Sequence, residues 1–338
     1  MVILNKILLM SLLLMTTIAC QSTSSGSENK QHESVVTKNK TAVWIDTDPS
    51  ISSGAHEVDD GFALIQAFNS PELEIRGVSV VFGNAPFEVA WPIGQEIVKK
   101  YGPPNLPVYA GAAKAELLGA ETAASRALAE ALKKERLTIL ALGPVTNVAA
   151  VLKNHPELSD RIEAIIAVAG RRPHQPFITG TKKHTPFRDF NFEMDAPGFQ
   201  VLLDAKVQIV LAPWEVSSKV WLKEDDLKQL AAGKPSAQWL VNPGRDWLKM
   251  WQEKFGVDGF NPFDTLAIAY VTSPQLLEWE DLPTEIQTLP DDTAQASEKP
   301  KNKPYLIVGK DVTSNRTVRY CHTPKPGFKP DLMARLLK

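Results

Sequence analysis

Ala42-Val43-Trp44-Ile45-Asp46-Thr47-Asp48-Pro49, then a short polar connection, then Glu57-Val58-Asp59-Asp60-Gly61 leading into an apolar run that ends at Phe68, decide the reading of this chain. The first run is apolar and partly β-branched until it meets a carboxylate, so Ala42 to Asp46 reads as a buried strand. From Asp60 to Phe68 the spacing of apolar residues is helical. The same alternation continues outward. Strands are expected at Ile75 to Val81, Leu137 to Leu142, Ile162 to Ala169 and Val207 to Ala212, and helices at Phe87 to Tyr101, Thr122 to Lys134, Asn147 to Asn154 and Ala196 to Asp204. Strands alternating with helices call for an α/β fold, an open, mostly parallel, Rossmann-like sheet flanked by helices. In such sheets ligands bind outside the carboxyl ends of the strands. Asp46, Asp48, Asn84, Gly143-Pro144, Gly170 and Trp214 fall there and form a mostly polar rim.

Beyond Pro213 the pattern is less regular. Asn242-Pro243 reads as a helix cap with Pro in the first turn, followed by Trp247, Trp251 and Phe255 on one face. Those aromatics suit core packing; the alternative is that one Trp stacks on a ligand. Asp281 to Lys303 reads as a polar loop, and Pro304 to Lys338 as two strands and a closing helix. Residues 42–338 are treated as one domain.

The 338 residues are 43% hydrophobic and 22% charged, ordinary for a globular protein, and the formal net charge is −2. With no dense Lys/Arg block in the body, a nucleic-acid partner is disfavoured. Lys6, the apolar run Ile7 to Met15 and the small residues before Cys20 have the layout of an export signal, too short to span a membrane. Residues 1–20 are read as a lipoprotein-type signal peptide with lipidation at Cys20, and residues 21–41, rich in Ser, Lys, Gln and Asn, as a flexible linker. The expectation is an exported protein of the cell envelope, touching the membrane only through this anchor. Cys321, the other cysteine, is expected to be an unpaired structural thiol.

Helix capping accounts for one aspartate of the Asp46, Asp48, Asp59 and Asp60 group. It does not account for four, because like charges held together need a cation or a shared proton. Hard oxygen ligands suit Ca²⁺ or Mg²⁺.

Four further blocks follow: Val81-Phe82-Gly83-Asn84, Leu140 to Ala149 with its Gly143-Pro144-Val145-Thr146-Asn147 turn, Asp189-Phe190-Asn191-Phe192-Glu193-Met194-Asp195, and Phe263-Asp264-Thr265-Leu266-Ala267. In their order and spacing, these blocks and the acidic motif resemble the inosine-uridine-preferring nucleoside hydrolase family. The resemblance implies cleavage of the N-glycosidic bond of ribonucleosides to ribose and free base, with Ca²⁺ as cofactor. It implies metal ligation by Asp48, Asp60, Asp264 and the backbone carbonyl of Leu142, with Asp46 orienting Asp48. It further implies that Asp59, Asn84 and Asn191 hold the ribose hydroxyls, that Asp189 lies near the 5′ end, and that Asp48 deprotonates the water that adds to C1′ of an oxocarbenium-like state. Relatives are commonly dimers or tetramers, so a homo-oligomer is expected.

The sequence departs from the family pattern in three places. Asp59 follows Asp48 by eleven positions, an insertion of about seven residues relative to the family motif. Phe263 stands where many members carry the His that protonates the departing base, which leaves His56 and His184 as candidates for that work. Lys182-Lys183-His184, with Arg171, Arg172 and Arg188 nearby, stands in place of an Asn of the family pattern, and Asp189 in place of its Glu. Those cations read either as a solvated basic loop or as a site for an anionic 5′ group. Two other classes stay open at this level: an Asp-x-Asp Mg²⁺-dependent phosphohydrolase, and a non-catalytic nucleoside- or ribose-binding lipoprotein.

Overall fold

The computed structural model describes residues 40–52, 57–184, 186–294, 299 and 301–338. In chain order the first half runs β1 (Thr41–Thr47), α1 (Asp59–Phe68), β2 (Leu73–Val80), α2 (Phe87–Tyr101), β3 (Val108–Ala110), α3 (Ala123–Lys134), β4 (Leu137–Ala141), α4 (Thr146–Asn154) and β5 (Ile162–Ala167). The second half runs α5 (Phe190–Met194), α6 (Ala196–Asp204), β6 (Ile209–Leu211), α7 (Trp214–Ser217), α8 (Glu224–Ala231), α9 (Pro235–Phe255), α10 (Thr265–Thr272), β7 (Leu277–Pro290), β8 (Asn302–Val308), β9 (Thr317–Pro324) and α11 (Phe328–Leu336).

One sheet holds all these strands in the order β3-β2-β1-β4-β5-β6-β9-β7-β8. Pairing is parallel from β3 through β6 to β9, and antiparallel between β9 and β7 and between β7 and β8. After β1 the chain moves outward to β2 and β3, then returns to lay β4 on the other side of β1. The topological switch point therefore lies between β1 and β4, where the crevice of an open α/β sheet is expected.

Alternation along the central strands splits the core into two layers. Val43, Ile45, Leu140 and Ile166 pack with α1, α9, α10 and α11 on one face; Trp44, Ile139, Ala141 and Ile165 pack with α3, α4 and α6 on the other. Both faces are covered, which is why these strands read as continuous apolar runs.

Two sequence expectations are corrected. Residues 281–290 belong to the long strand β7 and not to a polar loop. Its outer residues are exposed or half-buried, as in an antiparallel sheet with one solvated face, and that polarity conceals the strand. Asn242-Pro243 does not start a helix: α9 begins at Pro235, passes through Pro243 and ends at Gly256 in the left-handed conformation, φ 69°. Burial of Leu240, Val241, Leu248 and Trp251 holds this helix together across the proline, which lacks the N–H that the carbonyl of Trp239 would otherwise receive. Pro243→Ala is expected to stabilise the fold by about 1–3 kcal/mol, read as a higher thermal midpoint; an unchanged or lowered midpoint would show that α9 depends on the proline.

Candidate functional site

The end of β1 is fixed by polar contacts that a strand end at the switch point can reach. Asp46 is fully buried; its Oδ1 accepts hydrogen bonds from Ser79 Oγ on β2 and from Asn147 Nδ2 on α4 (2.8 Å). Ser79 in turn accepts from Trp44 Nε1 at 2.8 Å, and Leu142 N donates to the Asp46 carbonyl at 2.7 Å. Asp46 thus ties β1, β2, β4 and α4 into one unit beneath the next carboxylate. Burial pushes its pKa up to about 7, against the lowering effect of Ser79 and Asn147.

Asp48 sits in a cradle made by two glycines. A Cβ at Gly143 would lie 2.5 Å from Asp48 Oδ1, and one at Gly83 would overlap Oδ2. Only glycine permits so close an approach of backbone to carboxylate. Oδ2 accepts from Asn84 N at 2.7 Å, while Oδ1 is buried without a protein partner. Asp60, in the first turn of α1, accepts from Thr47 Oγ1, from Asp48 N (3.1 Å) and from Asn84 Nδ2 (3.2 Å).

The long spacing between Asp48 and Asp59 is closed by a clasp: Ser50, at its start, donates from N and Oγ to Glu57 Oε1 at its end, both at 2.9 Å. Glu57 Oε2 also faces Asp60 N at 3.4 Å. The clasp returns Asp59 and Asp60 to the end of β1, and candidate ligand oxygens of Glu57, Asp59 and Asp60 lie within 4.8 Å of one another.

Asp264 joins from the far side of the chain, at the N-terminal end of α10, with no capping hydrogen bond to occupy its carboxylate. Burial holds its pKa well above the usual carboxylate range, and Asp59, Asp60, Glu57 and Asp48 add to the rise. Asp48 and Asp60 are raised in the same way, by burial and then by carboxylate neighbours. Asp48, Glu57, Asp59, Asp60 and Asp264 therefore crowd one place without a counter-charge inside their own group. An orphaned buried oxygen, hard oxygen donors and mutual repulsion all fit a divalent cation.

A cavity of about 520 Å³ opens beside them. Glu57, Asp59, Asn84, Asp264, Asp189, Asn191 and Leu142 line its polar side. Asn191 Nδ2 donates to the carbonyls of Leu142 (2.5 Å) and Val168 (3.1 Å), which fixes its amide at the strand ends. Asp189 accepts from Gly170 N at 2.8 Å, and burial pushes its pKa up to about 6 despite the opposing charge of Arg171. The opposite wall is aromatic. Trp247, Trp251 and Phe255 of α9 line it with Phe263, Trp214, Phe177 and Phe187. Trp251 and Phe255 are buried as well, so α9 serves the core and the cavity wall with the same side chains. The aromatic spacing on α9 was visible in the sequence; Phe177 and Phe187 lie in a connection with no periodic signal.

Asp59, Asn84, Leu142, Asp189, Asn191 and Asp264 line this cavity, while Asp46, Asp48 and Asp60 are fully buried at the adjoining ends of β1 and α1. Of the two histidine candidates, His184 lies with Nε2 2.8 Å from the Thr179 carbonyl and its ring packed edge-on against Phe255 outside the cavity lining, and His56 lies outside the described residues. The basic loop matches neither reading whole. Arg171 is buried and pairs with Asp292 (2.7 Å), Arg172 pairs with Glu215 and Glu280, and Arg188, on the cavity rim, pairs with Glu193 (3.0 Å). Cys321 is a buried free thiol, pushed up to about 12 by burial; Cys20 lies outside the described residues.

An open α/β sheet with a carboxylate cluster and a half-polar, half-aromatic cavity beside its switch point is the arrangement of a small-molecule enzyme site. The family described as inosine-uridine preferring nucleoside hydrolase matches residues 43–318, and the chain belongs to that family; it is a ribonucleoside hydrolase. It is similar to uridine nucleosidase 1 of Arabidopsis thaliana, 25% identical over 294 residues that cover 78% of this chain and 81% of that protein. It is equally similar to the pyrimidine-specific ribonucleoside hydrolase RihA of Klebsiella pneumoniae, 25% identical over 276 residues, 72% of this chain and 84% of that one. Among solved structures, a plant nucleoside hydrolase superposes with a TM-score of 0.72 at 19% identity, covering 88% of this chain and 99% of that one. A purine-preferring ribonucleoside hydrolase from Gardnerella vaginalis gives 0.68 at 20%, covering 88% and 98%. These likenesses establish the fold.

The raised carboxylates have a measurable consequence without cation. Asp46, Asp59 and Asp189 titrate at about 7, 6 and 6 when folded, above the ordinary 3.8. A raised acid binds protons more tightly in the native state, so its contribution is full below the unfolded pKa and is lost as pH rises through the folded one. In chelator the thermal midpoint is expected to fall between pH 5 and pH 8, and a divalent cation to flatten that fall. Equal midpoints at both pH values in chelator would contradict it.

Proposed function

We propose that this hydrolase cleaves the N-glycosidic bond of ribonucleosides with Ca²⁺ held by Asp48, Asp60, Asp264 and the carbonyl of Leu142. The observation that carries this reading is the gathering of carboxylates from the end of β1, α1 and the start of α10, together with the buried Oδ1 of Asp48 that has no hydrogen-bond partner among the described residues. When bound, the ion supplies a chelation point for the ribose diol and a Lewis acid for water. Asp59, Asn84 and Asn191, all on the cavity wall, hold the ribose hydroxyls and orient C1′ toward Asp48. Asp189 binds near the 5′ end.

As the C1′–N bond stretches, the electron pair goes to the base and positive charge grows on the sugar, which the surrounding carboxylates stabilise. Water adds to C1′ and gives a proton to Asp48, whose carboxylate is kept aimed by Gly83, Gly143 and the Asn84 N–H. Phe263 cannot protonate the departing base, so its proton comes from another group or from water, unless the true substrate needs none. The aromatic wall receives the base. Arg171 and Arg172 are engaged by carboxylates and Asp189 is itself anionic when ionised, which favours an uncharged 5′ hydroxyl over a phosphate.

Location is inferred from the leader alone. Lys6, the run Ile7 to Met15 and Cys20 support export and lipidation, with residues 21–41 as tether. Among the described residues no helix is long and apolar enough to cross a membrane.

Incubation of the purified protein with inosine or uridine is expected to release free ribose, and excess chelator to abolish release until Ca²⁺ is restored. Asp48→Asn should lower kcat by about 10²- to 10⁴-fold, the usual size of a general-base contribution. Ribose release that is indifferent to chelator, or that survives Asp48→Asn undiminished, would remove the cation and base roles.

A further inference from the structure

Glu57 belongs to the segment by which this chain is longer than the family motif, yet it stands beside Asp59 and Asp60 and lines the cavity. A structural role alone would be the clasp with Ser50 and the cap at Asp60 N; the single oxygen of a neutral glutamine could keep both Ser50 bonds made to Oε1, and only the long 3.4 Å contact between Asp60 N and Oε2 needs the second oxygen. The clustering is the unexplained part. Holding a carboxylate that is over nine-tenths buried against two others is costly unless a shared proton, such as that of its side-chain hydrogen bond with Asp59, or a cation sits among them. A second observation points the same way: Asp48, fully buried and bonded through its N–H to the Asp60 carboxylate, keeps Oδ1 without a partner.

We propose that Glu57 is a further carboxylate ligand of the cation site, supplied by the insertion. The inference rests on the cation-site reading above and deepens it. An added carboxylate raises the charge count at the ion, and charge count together with rigidity sets the affinity of oxygen-ligand Ca²⁺ sites. Ser50, at the start of the insertion, holds the Glu57 carboxylate through two hydrogen bonds of 2.9 Å. The insertion is thereby an addition to the site and not only a spacer that the site tolerates.

Calorimetric titration of the full-length, chelator-treated protein with Ca²⁺, without substrate, tests this. Glu57→Gln is expected to weaken Ca²⁺ binding by about 10- to 100-fold while the thermal midpoint in chelator stays level or rises, since the clasp survives and a repelling charge is gone. Glu57→Ala should lose both affinity and stability, because the clasp goes as well. Asp60→Asn is the reference. If it weakens Ca²⁺ binding and Glu57→Gln binds like the unmodified protein, Glu57 is a cap only and the proposal fails. If the unmodified protein takes up no Ca²⁺, the cation site itself falls, and Glu57 with it.

Discussion

Buried like charge is the constraint around which this protein is arranged. Five carboxylates, from Asp48, Glu57, Asp59, Asp60 and Asp264, are brought together where burial and mutual repulsion raise their proton affinity. Such a group is unfavourable when fully ionised and is relieved by protons shared among its oxygens or by a cation held between them. The surrounding structure is what keeps it assembled. Parallel β1 and β4 meet at the switch point, the Asp46 contacts with Ser79 and Asn147 lock the strand end, and glycines at 83 and 143 let the backbone close around Asp48.

The same constraint divides the cavity into two chemical halves. Its carboxylate and amide side matches a polyhydroxylated ring that develops positive charge, and its aromatic side matches a flat heterocycle. Phe263 belongs to the second half, part of an apolar wall with Trp251, whose ring centroid is 6.3 Å away. On the proposed reading, catalysis rests on the sugar side, in positioning and in electrostatic stabilisation of C1′.

Much of this was legible in the chain itself. The Asp46-Thr47-Asp48 strand end and the Asp59-Asp60 helix start announce themselves by periodicity and by a local excess of charge. Asp264 and Asn191 do not, because only the tertiary fold brings them to β1, and a resemblance between motifs was needed to nominate them. Glu57 was in view without a role, since nothing in the sequence says that Ser50 would fold the insertion back. Strand β7 was concealed by its solvated face, and the start of α9 by a proline that helix packing overrides. In each miss a long-range contact outweighed a local preference.

The central claim is that one divalent ion sits at the crossing of these segments. Crystals grown with Ca²⁺ and measured at a wavelength where calcium scatters anomalously address it directly. The expected result is a single strong anomalous peak bounded by the carboxylates of Asp48, Asp60 and Asp264 and the carbonyl of Leu142. A map with no peak there, in crystals of protein that still releases ribose from nucleosides, would contradict it.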